Sequence, residues 1–164
     1  MKFKLMLGTA MVLLATAAEA KEKAPKPQIE RTVASPTAVI SGSVSIPPGS
    51  RIIYLSGSTA SPVDPAKPDE FGDTKAQTLS ILTKMKATLE KMGLGMGDIV
   101  KMNVFLVSPT PGGHMDSPAM NEVFKTFFGT PEQPNRPARS TVQVAALGRP
   151  STLVEIEAVV AKAP

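Results

Sequence analysis

"NRPARSTVQVAAL", residues 135 to 147, changes character in its middle. Arg136, Pro137 and Arg139 crowd its first half, where proline stiffens the backbone. Val142 and Val144 then sit two apart, the spacing of a strand. The stretch reads as a stiff loop handing over to a strand at residues 140–147. An arginine at that handover is either solvated decoration or a carboxylate clamp.

The neighbouring segments give that strand a sheet to join. "TLVEIEAVVA" (152–161) is a second, closing strand, and its alternation puts Glu155 and Glu157 on one face, opposite Val154, Ile156 and Ala158. "DIVKMNVFLV" (98–107) is a further strand, and "RIIYLSG" (51–57) another, ended by Gly57. "TAVISGSVSI" (37–46) alternates weakly and predicts a first strand, with "PPGS" (47–50) as the turn after it.

Two helices interrupt the strands. Asp73 or Thr74 caps the first; Leu79, Leu82, Met85, Leu89 and Met92 give it one apolar stripe, and Gly93 and Gly95 end it. Ser117 is the expected N-cap of the second, with Pro118 at its first position. Met120, Val123, Phe124 and Phe127 form its apolar face, and Gly129 ends it. The order β-β-α-β-α-β-β predicts an α+β fold, a mixed sheet with both helices packed on one face. The other face is then either polar or an interface between copies.

The first twenty residues stand apart from this domain. Lys2 and Lys4 precede an apolar run from Leu5 to Ala18, and Ala18-Glu19-Ala20 follows: the pattern of a cleaved secretory signal. The expected organisation is a signal peptide (1–20), a flexible charged and proline-rich leader (21–36) and one domain (37–164). The expected location is periplasmic or secreted, with no membrane association after cleavage. No cysteine is present, so neither a disulfide nor a thiol nucleophile enters the chemistry. Removing Lys2, Lys4 and Glu19 takes 18 basic and 14 acidic residues to 16 and 13, a net charge of +3.

"YLSG" (54–57), "PARSTVQV" (137–144) and "LVEIEAVVA" (153–161), with the capped helix before "DIVKMNVFLV", resemble the Rid family (RidA/YjgF), the reactive enamine/imine deaminases. The likeness covers residues 37 to 161. It implies a chorismate-mutase-like fold and a homotrimer with sites in clefts between subunits. It also implies hydrolysis of 2-imino acids to 2-keto acids and ammonia without metal or organic cofactor.

Carried over residue by residue, the resemblance gives Arg139 and Glu155 as catalytic. Arg139 matches the signature arginine of P-A-R-S, and a guanidinium binds a carboxylate through a planar two-pronged fork. Glu155 matches the glutamate that places the hydrolytic water, whose proton a carboxylate can accept. Ser56, Gly57, Asn121 and Thr141 fall at substrate-binding positions, Thr141 standing where many relatives have cysteine. "VISGSVSI" lacks the tyrosine that many relatives carry there. The sole tyrosine, Tyr54, shares a strand face with Ser56 and reads as a partly buried strand residue.

Other classes find little material. One histidine, His114 in a glycine-rich loop, builds neither a histidine metal site nor a Ser-His-Asp arrangement. Aromatics are 4%, without tryptophan, and no basic run forms a groove, so no nucleic-acid partner is expected. The expected partners are a small carboxylate-bearing substrate and the chain itself. The rival reading is a binding module, with Arg139 holding a small carboxylate or keto acid without turnover.

Overall fold

The computed structural model describes residues 26–164. The expected signal peptide and the start of the leader lie outside the described residues. The elements are β1 (Glu30–Thr32), β2 (Ser43–Ser45), β3 (Arg51–Thr59), α1 (Thr74–Lys91), a 3-10 turn (Met96–Asp98), β4 (Ile99–Leu106), α2 (Ser117–Phe127), β5 (Ala138–Gln143) and β6 (Val154–Lys162).

Four strands make the main sheet, in the order β3-β6-β4-β5. β6 runs antiparallel to both β3 and β4, and β5 runs parallel to β4. Parallel pairing requires a crossover, and α2 supplies it. β6 lies inside the sheet and alternates from Val154 to Val160: Val154, Ile156, Ala158 and Val160 are buried, while Glu155, Glu157 and Val159 face the other way. β4 does the same with Met102, Val104 and Leu106. Both helices cover this buried face, as the sequence reading expected. Ile52, Tyr54 and Val142 remain exposed on the strands.

α1 begins where the Asp73 carboxylate accepts from the Ala76 amide at 2.8 Å. It ends at Gly93, whose φ of 70° closes the last turn. Its buried face is Thr74, Gln77, Thr78, Ile81, Leu82, Met85 and Leu89. The expected stripe therefore needs correction at both ends, because Leu79 is 50% and Met92 36% exposed. The stripe is rotated because Gln77 is drawn inward. Its amide donates to the Gly72 and Ser151 carbonyls, both at 2.9 Å, and accepts from the Leu153 amide at 2.8 Å. A buried amide with its partners in place is compatible with a core.

Leu82 is fully buried between α1 and the sheet. Leu82→Ala should lower stability by about 2–5 kcal/mol, read as a fall in the urea midpoint with little change in slope.

Three further boundaries differ from the sequence reading. Asp116, not Ser117, caps α2: its carboxylate accepts from the Ala119 amide at 3.1 Å, and Ser117 is already helical. The β5 strand starts at Ala138 and ends at Gln143, earlier than residues 140–147, because pairing with Lys101–Leu106 fixes its register. Arg139 thus lies within the strand. Part of the leader is a strand: β1, inside the expected flexible 21–36, pairs with β2. The predicted first strand contracts to Ser43–Ser45, in this separate ribbon. Two contacts hold the ribbon that local sequence does not show: Arg31 donates to the Gly97 carbonyl at 2.8 Å, and Ser41 bridges to Ala138.

Candidate functional site

Arg139 pairs with Met102, a core residue, so its side chain turns to the helix-covered face. There it meets α2. Arg139 Nη2 donates to Asn121 Oδ1 at 2.7 Å, and Nη1 lies 3.5 Å from the Met120 sulfur. The guanidinium sits 4.4 Å from the centroid of the Phe124 ring, which itself stacks on Phe128 at 4.7 Å. Ring and amide hold the guanidinium plane in place.

Burial pulls the Arg139 pKa down to about 10, so the group remains a cation at neutral pH. None of the ion pairs among the described residues includes it. A half-buried cation without an anion is costly, and a carboxylate ligand supplies what is missing. Thr141 follows two residues on, along the same side of β5, and its hydroxyl is buried without a hydrogen-bond partner. Arg139, Asn121 and Thr141 therefore form one group.

The path of the arginine strand is fixed upstream. Ser41, almost fully buried, donates its hydroxyl to the Arg136 carbonyl at 2.7 Å and its amide to the Pro137 carbonyl at 3.0 Å. Arg136 donates to the Pro36 carbonyl at 3.0 Å. Arg136 is a structural tie here rather than a surface charge.

Glu155 belongs to a second group, on the helix-free face. It pairs with Thr59 of β3 and Phe105 of β4. The β3–β6 register shifts between Leu55 and Ser58, leaving Ser56 and Gly57 in a bulge opposite Glu157, one step along from the Thr59–Glu155 pair. Glu157 shares the face, but its carboxylate accepts from the Asn103 amide at 2.7 Å. No side-chain hydrogen bond occupies Glu155 among the described residues. Tyr54 is 79% exposed, not partly buried as its sequence context predicted. With Ser56, Lys101, Asn103 and Glu157 it lines a groove of about 240 Å³ on this face.

One chain does not bring the two groups together. β5, which carries Arg139, is two strand spacings, or about 10 Å, from β6, which carries Glu155, and three, or about 14 Å, from β3, which carries Ser56 and Gly57. The groups also occupy opposite faces. Sequence reasoning found Arg139, Asn121 and Thr141 as separate residues and missed the Phe124 ring under the guanidinium. Asn121 and Phe124 are three apart on α2 and share a face, which was the available signal.

The arrangement of two helices on one face of a mixed four-stranded sheet is the YjgF/Rid fold. The chain belongs to the YjgF/RidA family: the family model described as Endoribonuclease L-PSP matches residues 33–162. Among solved structures, the chain is similar to Escherichia coli TdcF with bound serine. That match has 30% identity and a TM-score of 0.56, and covers 85% of this chain and 99% of that one. RidA from the Antarctic bacterium Psychrobacter is similar at 30% identity and TM-score 0.53, over 83% and 98% of the two chains. The 2-iminobutanoate/2-iminopropanoate deaminase of Dermatophagoides farinae is 38% identical over 110 residues, 66% of this chain and 76% of that protein.

Proposed function

We propose that the protein hydrolyses 2-imino acids to 2-keto acids and ammonia, at a site shared between copies of the chain. The half-buried Arg139 cation, in no ion pair among the described residues, carries this reading. It is a preformed receptor for a small carboxylate. The deaminase among the relatives supplies the reaction class.

In the proposed reaction the substrate carboxylate docks on the Arg139 fork, with Asn121 and Thr141 beside it. Glu155 orients a water and takes its proton as the oxygen attacks the imine carbon. The C=N π electrons move to nitrogen, giving a carbinolamine. For a protonated imine, the proton held by Glu155 then passes to that nitrogen, and as the freed Glu155 carboxylate takes the hydroxyl proton the C–N electron pair leaves with nitrogen, giving keto acid and ammonia. Glu155 must reach a substrate held by another copy's Arg139, because its own Arg139 lies across the sheet.

The test is keto-acid release from freshly generated 2-iminopropanoate and 2-iminobutanoate. Release above the spontaneous rate supports the enzyme. Saturable 2-oxobutanoate binding without release supports the binding module. Absence of both ends the carboxylate reading.

The shared site requires assembly, and the resemblance implies a trimer. Light scattering on the mature protein should give about three times the mass of one mature chain. With no tryptophan and one tyrosine, the chain's fluorescence comes from Tyr54. Iodide should quench that emission weakly in the assembly and more strongly on dilution. A stable monomer with freely quenched Tyr54 would remove the shared site.

A further inference from the structure

Gly57 lies in the β3 bulge, and its φ is not in the left-handed region. Its backbone therefore does not demand glycine. What demands it is space. A Cβ built on Gly57 would run into Glu155 Oε1 and lie 3.0 Å from its Cδ and 3.3 Å from its Cγ. The Glu155 carboxyl end occupies the place a side chain at 57 would take. The register places it there: Ser56 and Gly57 together stand opposite one residue, Glu157, and Gly57 is two residues before Thr59, the partner of Glu155, whose carboxyl end reaches back over the glycine.

We propose that Gly57 is a positioning residue for Glu155: the missing side chain is a seat that holds the carboxylate against the β3 backbone. This rests on the reading of Glu155 as the base, and it changes the role of Gly57. The glycine makes room for the carboxylate and not for substrate. The atom a methyl group would strike is the far end of a flexible side chain. Gly57→Ala should accordingly move the carboxylate and leave the sheet in place.

The experiment compares wild type, Gly57→Ala, Glu155→Gln and Gly57→Ala with Glu155→Asp. In protein carrying carbon-13 glutamate, the side-chain carboxyl resonance lost in Glu155→Gln belongs to Glu155. That resonance should shift in Gly57→Ala, whether or not the protein is a deaminase. In the assay, Gly57→Ala should lower kcat about a hundred-fold and change KM less than about three-fold, as displacement of a general base does. Shortening the acid in the double variant withdraws it from the new methyl group and should recover part of kcat. An unmoved resonance with wild-type kcat overturns the proposal. Inactive wild type with a shifted resonance keeps the seat and sinks only the deaminase reading. If Gly57→Ala fails to fold, a folded double variant upholds the conflict between these two side chains. Failure of both shows that glycine serves the backbone alone, which overturns it.

Discussion

Arg139→Ala is expected to lose 2-oxobutanoate binding and keto-acid release while keeping the fold. Loss of a charge-assisted contact costs roughly 1.5–3 kcal/mol, or about ten- to a hundred-fold in affinity, and more in a dry cleft. The fold should survive because Arg139 makes no ion pair among the described residues, and burial already disfavours its charge. Its Phe124 contact is one of several for that ring, which also stacks on Phe128. Arg139→Lys should also bind poorly, since an ammonium reproduces neither the fork nor the stack. The pH dependence has a definite sign. Burial lowers the pKa of this base, so its charge is present below about 10 and lost above it. Keto-acid affinity should therefore hold through neutral pH and fall as pH rises past about 10. Calorimetric titration checks both. An Arg139→Ala variant with full affinity and full turnover would make the arginine decoration and the mechanism wrong.

Glu155→Gln should separate binding from chemistry. The substitution keeps shape and removes the negative charge that accepts the water proton. Turnover should fall by about a hundred-fold or more, the scale of general-base contributions, with 2-oxobutanoate affinity nearly unchanged. Glu157→Gln is the control: its carboxylate is held by Asn103, so it should affect turnover far less. Equal losses at 155 and 157 would show that the face needs charge in general and not a base at one position.

Much of the fold was legible because burial writes a period into the chain. Val154, Ile156 and Ala158 alternate with Glu155 and Glu157, and β6 buries the first set and turns the second away. The second helix showed its apolar face for the same reason, with Met120, Val123 and Phe124 buried. Errors fell where tertiary contacts outweigh local pattern. Ser117 looked like a cap, but Asp116 is one residue earlier and reaches the Ala119 amide. Leu79 belonged to a regular stripe, yet Gln77 takes the inside position because three backbone groups satisfy it. Residues 30–32 looked too charged for a strand, and long-range contacts through Arg31 and Ser41 hold their ribbon.

The candidate site divides in the same way. The sequence by itself determined which residue types could bind a carboxylate and activate a water, since fork, carboxylate and strand alternation are local properties. It also determined that Glu155 and Glu157 share a face. Only the tertiary structure decided that Glu157 is occupied by Asn103 while Glu155 leans into the space over Gly57. It alone placed Arg139 on Phe124 and Asn121 at one edge of the sheet, with Ser56 and Gly57 at the other. The physical reason is strand order. Side-chain alternation is set within a strand, but β3-β6-β4-β5 is set by pairings between residues as far apart as Arg51 and Lys162, which no local period encodes.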